Sequence, residues 1–246
     1  MIAATQARRI RRYGRILASL LVLLATTTHR MASQAANSTG LISIHLEQKQ
    51  ESVIRTVPQN TVFRNGNILR FRLTSRIAGY LYVVDKGTTG ETATLFPISS
   101  ATEGNNRIEP GQNMVVPANG DGWFEVSGPS GFDTIYLLVS ASPIAIPPAS
   151  PNGSITEPPQ ATSPPPPDLL PRCDDQIFKA RGECIDASAG VAPLAPDAPV
   201  PRELIPLART AARDIILTDD GDGVTVKAAP TAKLPLIYTF RLAHLQ

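Results

Sequence analysis

Gly79-Tyr80-Leu81-Tyr82-Val83-Val84 decides the fold, because it is apolar in both phases of a two-residue period. A strand turns successive side chains to opposite faces, so a half-exposed strand alternates apolar and polar residues. This stretch has no polar phase before Asp85. It therefore belongs at the centre of a sheet covered on both sides. Segments around it do alternate. Ile42, Ile44 and Leu46 interleave with Ser43, His45 and Glu47, and Leu69, Phe71 and Leu73 with Arg70, Arg72 and Thr74. Thr92 to Phe96, Met114 to Val116, Trp123 to Ser127 and Ile135 to Val139 continue the row of short strands. Turn residues separate them, at Gly87 to Gly90, Asn119 to Gly122 and Gly128 to Gly131. The spacing predicts an all-β fold, an antiparallel β-sandwich over residues 40–142.

Beyond Ser140 the composition changes. Sixteen of the 23 prolines lie between Pro143 and Pro206, including Pro164 to Pro167 in a row. Proline fixes φ and removes a backbone donor, so neither a helix nor a central strand runs through such a stretch. Residues 143–200 read as a long proline-rich insertion, a semi-rigid linker holding a stapled loop. Pro201 to Ile205 opens a short helix towards Ala212. A hairpin, Ile215 to Leu217 against Val224 to Val226, and a last strand, Leu236 to Leu242, follow. A lone hairpin is marginal in water. These C-terminal strands, in residues 201–246, are therefore expected to dock on the sandwich.

The first 35 residues speak to compartment. Five arginines between Arg8 and Arg15 precede an uncharged, mostly apolar run from Ile16 to Thr28, and Ser33-Gln34-Ala35 offers small residues at a cleavage site. That order is a secretory signal peptide over residues 1–35. The apolar run is shorter than the roughly 20 residues of a membrane-spanning helix. The mature chain is thus expected to be exported, periplasmic or extracellular, with no stable membrane span. Cys173 and Cys184 then read as a disulfide, which in the chain-entropy account contributes about 3 kcal/mol. Residues 1–35 carry six arginines and no acid, so their loss takes the formal charge from +2 to −4. A slightly acidic body gives no electrostatic case for nucleic acid.

Several pieces of this stretch occur in a telling order. They are Phe63-Arg64-Asn65-Gly66-Asn67-Ile68-Leu69-Arg70-Phe71, Gly79 to Val84, Leu95-Phe96-Pro97, Asn106-Arg107-Ile108, Val116-Pro117 and Phe124 to Gly131. Together, over about residues 60–141, they resemble the bacterial domain of unknown function 4384. The resemblance implies a β-rich accessory domain, often joined to kinase-like or caspase-like modules, with no catalytic residues to carry over. No kinase or peptidase motif accompanies it here. The shared residues read as folding instructions: Asn65-Gly66 for a tight turn, Gly79 for a bend into its strand, Pro97 to end a strand.

Candidate chemistry is sparse. His45 and His244 sit at opposite ends of the mature chain and read as solvated strand histidines; two histidines without a free cysteine make a poor zinc site. Asp219, Asp220 and Asp222 with Gly221 and Gly223 echo the start of a calcium loop, but the twelfth position lacks glutamate, so a hairpin turn is the simpler reading. Ser130 lies in Gly-Pro-Ser-Gly, which is not a nucleophile elbow. No catalytic or metal-binding residue and no cofactor is assigned. Two surface features stand out. Trp123 lies in the phase opposite Phe124, which places the chain's single tryptophan on the outer face of its strand, unless a loop or the C-terminal strands cover it. Arg70 and Arg72 share one face, to meet an anionic partner or cross-strand acids. Trp123, Arg70 and Arg72 form the expected contact surface. The expected function is an exported, non-enzymatic accessory or protein-interaction module of the bacterial envelope. The alternative is a periplasmic glycan or small-ligand binding domain, with an uncharacterised hydrolase third.

Overall fold

The computed structural model describes residues 39–97, 106–117, 122–146, 170–172, 182–212, 215–221, 223–228 and 233–246. Residues 1–35, where a signal peptide is expected, the run Pro164 to Pro167, Cys173 and Asp222 lie outside the described residues. The chain divides into two compact units, Met1–Thr39 and Gly40–Gln246, and the fold below is that of the second.

The strands are β1 (Thr39–Gln50), β2 (Val53–Val57), β3 (Val62–Arg64), β4 (Ile68–Ser75), β5 (Gly79–Lys86), β6 (Thr92–Phe96) and β7 (Arg107–Ile108). They continue as β8 (Asn113–Val116), β9 (Phe124–Glu125), β10 (Gly131–Ser140), β11 (Gly190–Pro193), β12 (Ile215–Asp219), β13 (Val224–Ala228) and β14 (Leu236–Leu245). Two sheets result. The first follows β12-β13-β1-β4-β8, with β2 also on β1 and β9 also on β4. The second follows β11-β14-β10-β5-β6, with β3 also on β14 and β7 also on β5. The long pairs are antiparallel, such as β1 with β4 and β10 with both β5 and β14, whereas β3 runs parallel to β14.

The inward phase of each strand builds the core between the sheets. Ile42, Ile44 and Leu46 from β1, with Leu69, Phe71 and Leu73 from β4, meet Leu81 and Val83, Ile135, Leu137 and Val139, and Tyr238, Phe240 and Leu242. Phe71 crosses the gap, its ring 5.1 Å from Phe240 edge-on and 5.8 Å from Phe124. The other phase of the second sheet is buried as well. Tyr82, Val84, Tyr136, Leu138 and Ile237 form a second cluster with Leu204, and Ile144, Leu194, Val200 and Leu207 pack against it. The Gly79 to Val84 stretch is thus covered on both faces, as its composition requires.

At the described residues 144–146 and 182–200 the proline-rich insertion packs on the sheet rather than acting as a spacer, while 147–169 and 173–181 lie outside the described residues. Residues 190–193 form β11 on β14 rather than spacer. Ile185 bridges Thr61, the Val62 N–H donates to the Cys184 carbonyl, and the Asp186 N–H to that of Asn60. Tyr136 Oη donates to the Pro199 carbonyl at 2.9 Å, and the Ile144 N–H donates to Tyr82 Oη at 2.8 Å. Proline density hid this role because proline blocks regular strands without preventing apolar contact. The short helix opened by Pro201 is a 3₁₀ turn, Arg202–Leu204, running into α1 (Ile205–Ala208). Its Leu204 is fully buried under the sheet. β14 lies between β10 and β11 inside the second sheet, and the β12–β13 hairpin extends the first.

Gly79 has a different reason from the expected bend. A Cβ there would lie 2.8 Å from the Ser140 carbonyl and 2.9 Å from Val139 Cγ1, so close approach of β10 requires glycine. Gly66 fits the turn reading, with φ at +85°.

The second cover makes a direct prediction. Leu204→Ala lowers stability by about 2–4 kcal/mol, measured as a denaturant midpoint shift, because a filled site under the sheet is emptied. The neighbouring exposed Glu203→Ala changes it by less than about 0.5 kcal/mol. Equal effects from both would contradict the packing.

Candidate functional site

The residues expected to form a contact surface come together on the outer face of the first sheet. The β1–β4 register sets Glu47 opposite Arg70 and His45 opposite Arg72. Arg70 Nε donates to one carboxylate oxygen of Glu47 at 2.5 Å and Arg72 Nε to the other at 2.6 Å. Burial pushes the Glu47 carboxyl up, but the two arginine hydrogen bonds and charges outweigh it and hold it below its usual value. The cross-strand acid expected for these arginines is therefore present.

Trp123 precedes β9, and Phe124 beside it is buried in the core while Trp123 is partly exposed. The β4–β9 register pairs Ile68 with Glu125 and Leu69 with Phe124, so one step further brings Trp123 beside Arg70. The Arg70 guanidinium lies 4.2 Å from the Trp123 ring centroid, and Lys49 Nζ lies 5.8 Å away. These flanking cations contact the ring through cation–π attraction. Cys184 is buried and disulfide-bonded.

A buried polar cluster escaped the sequence reading. It occupies one end of the space between the sheets, where Asp85, Asp133 and His244 extend the inward rows of β5, β10 and β14. His244 is 1% exposed and not the solvated strand histidine expected. Its Nε2 lies 3.3 Å from Asp133 Oδ2 and 3.3 Å from Thr88 Oγ1. Asp133 Oδ1 also accepts the Thr88 N–H at 2.7 Å and the Thr88 hydroxyl at 3.0 Å. Asp85 Oδ1, Thr89 Oγ1 and His244 Nδ1 are buried with no hydrogen-bond partner among the described residues. Burial pushes the Asp85 carboxyl well up, and the charge of Asp133 adds to it, against the Lys86 N–H. The sequence held a signal: each acid or histidine stands in the apolar phase of its strand, two residues from a core side chain.

Histidine, aspartate and hydroxyl do not form a nucleophilic relay here. A relay puts the acid on one ring nitrogen and the nucleophile on the other. In this cluster Asp133 and Thr88 share Nε2. The cluster instead fixes the β5–β6 turn: a Cβ at Gly131 would lie 2.3 Å from Thr88 Cγ2, so glycine lets that turn close over β10. Thr88 also lines an open groove of about 830 Å³ along the second sheet, with Lys86, Phe132, Tyr136, Arg241 and the β11 backbone. Arg241 stacks on the Phe132 ring at 3.6 Å.

The other sequence candidates have structural partners. Asp219 accepts from Gln59 Nε2 and from the Gly221 N–H, each at 2.8 Å, and Asp220 accepts from the Thr225 hydroxyl at 2.8 Å. The bonds to Gly221 and Thr225 suit the hairpin turn between β12 and β13, and that from Gln59 ties the turn to the loop between β2 and β3. Ser130 Oγ accepts the Gln246 N–H at 2.9 Å. Among the described residues no group of three or more histidine, cysteine or acidic side chains could hold a metal ion. No helix of the described residues is long and apolar enough to cross a membrane.

Fold and surface define a β-sandwich whose first sheet carries an open ionic face and whose second sheet is covered by its own chain. Residues 62–143, from β3 to just past β10, match the family model described as "Domain of unknown function (DUF4384)", about a third of the chain. No curated protein and no solved structure matches the chain.

Two changes test the buried cluster. Thr88→Val removes the hydroxyl shared by Asp133 and His244 and lowers stability by about 1–3 kcal/mol. Asp85 carries the opposite sign. An aspartate whose folded pKa lies above its unfolded value of about 3.9 favours folding at low pH and loses that contribution as pH rises. Asp85→Asn is therefore expected to stabilise the protein relative to wild type, with an advantage that grows as pH rises above about 4. Thermal melts across that range check it; an advantage confined to acidic pH would contradict the assignment.

Proposed function

We propose that the protein is an exported, non-enzymatic accessory module that engages a protein of the bacterial envelope through the outer face of its first sheet. One observation carries the reading. The outer face of the second sheet is covered by residues 144–146 and 194–211, whereas on the first sheet Trp123, Arg70, Arg72 and Lys49 form an organised, partly exposed patch. Partly exposed tryptophan and arginine are the side chains that anchor protein contacts most often. Export is supported by the signal-type start and by Cys173 and Cys184, whose pairing suits an oxidising compartment.

A second reading, a periplasmic domain for glycans or small ligands, is favoured by the groove beside β11, where Lys86 and Arg241 flank the aromatic rings of Phe132 and Tyr136. It places the functional surface on the other sheet.

In-cell crosslinking of the tagged protein separates the two. The first reading expects one dominant envelope protein in the pull-down, reduced at least about tenfold by Trp123→Ala, the size of loss a contact anchor gives. No enriched protein, together with saturable glycan binding lost in Lys86→Ala, would overturn it in favour of the second.

A further inference from the structure

Glu47 lies beneath the cations of the outer face rather than among them. Its side chain is 8% exposed, whereas that of Arg72 is 41% exposed. The carboxylate is sunk and the Arg72 side chain stands out over it, while Arg70, 14% exposed, lies against the Trp123 ring. Both arginines reach it through Nε, so a single acid fixes two long side chains in one geometry. Arg70 is held a second time by the Trp123 ring. Ordering such side chains at binding costs free energy, and here folding has already ordered them.

The outward phase carries Arg70, Arg72, Lys49 and Lys227 against Glu47, Glu125 and Asp220, whose carboxylate accepts the Thr225 hydroxyl at 2.8 Å. Lys49 and Lys227 share the outward phase with the arginines; the Ser43 and Thr225 hydroxyls, 3.4 Å apart, show that β13 presents that phase beside β1. Glu125 is the outward acid on β9, next to Ile68. A guanidinium fixed in place offers forked donors that match a carboxylate, which a mobile lysine does not.

We propose that this face is a preorganised receptor for a cluster of carboxylates on an acidic protein segment, with Arg72 as the exposed forked donor and the stacked Arg70–Trp123 pair as its wall. The proposal rests on the reading of this face as the interaction surface, and it names the chemistry of the partner. Glu47 is its positioning residue: it touches the arginines and acts through them.

The role of Glu47 gives a test in which charge and geometry disagree. The full chain is titrated against a fluorescein-labelled hexaglutamate peptide by anisotropy, at about 50 and about 300 mM salt, conditions that bracket the screening of exposed charges. Wild type binds at low salt and weakens at high salt. Glu47→Gln makes the face more positive, yet is expected to bind about threefold to tenfold more weakly, because the arginines lose their common anchor. Arg72→Lys keeps the charge, loses the fork and is expected to weaken binding to a similar degree. Lys233→Gln, an exposed charge away from the patch, leaves it unchanged. A featureless positive surface would bind the peptide more tightly in Glu47→Gln and equally well in Arg72→Lys, and either result overturns the proposal, as does no binding by wild type at low salt. Thermal melts establish that Glu47→Gln is folded; if it is not, Arg72→Lys decides alone. Capture of an envelope protein through Trp123 alongside a negative peptide result would leave the interaction surface standing and remove the acidic partner. Peptide binding with no captured protein would do the reverse.

Discussion

The central strands of the second sheet, β5 and β10, bury apolar side chains on both faces, joined on the outer one by Ile237 of β14, and a chain that buries a sheet twice must supply two covers. The first sheet is one of them. The other comes from the two ends of the long proline-rich stretch and the residues just after it, Ile144 and Ile146 at its start and Leu194 to Ala211 at its end. Their prolines leave few backbone donors to satisfy, which suits a layer that packs without joining a sheet. Tyr82 and Tyr136 bridge the two by hydrogen-bonding to that layer through their hydroxyls.

This constraint also bears on the family match. The matched residues 62–143 contribute β3 to β10, but β10 is flanked on one side by β14, and β4 by β1, both from outside the match. In this chain the matched stretch is completed by its own N-terminal and C-terminal strands. At the far end of the same core, the apolar rows of β5, β10 and β14 finish in Asp85, Asp133 and His244. Asp133 and His244 are held by the β5–β6 turn and by each other, whereas Asp85 Oδ1 has no hydrogen-bond partner among the described residues. A row of core positions ending in charge marks where the two sheets close around a turn instead of around each other.

Much of this was legible in the sequence where a two-residue period applies. The doubly apolar Gly79 to Val84 placed a central strand, the alternation in β1 and β4 gave the two phases of the first sheet, and the opposite phases of Phe124 and Trp123 separated core from surface. The residues from Gly190 to Val200 were illegible for a physical reason: proline content reports on backbone hydrogen bonding, whereas burial of this segment depends on the distant strand β14 that it meets. His244 was misread because a histidine at the end of a strand looks solvated unless its row is followed inward to Tyr238, Phe240 and Leu242. Trp123 was placed on the correct face, but its cover by Arg70 and Lys49 depends on cross-strand registers that a single strand does not encode.

Native-state hydrogen exchange, resolved by peptide, tests the double burial most directly. If the covering layer is part of one cooperative core, the amides of Leu204, Arg209 and Ala212, which donate within the layer or to Pro235, exchange only as slowly as those of β5, β10 and β14, through global opening. If residues 194–212 exchange at the rate of an open chain while the central strands stay protected, the second sheet does not need this cover and the account fails.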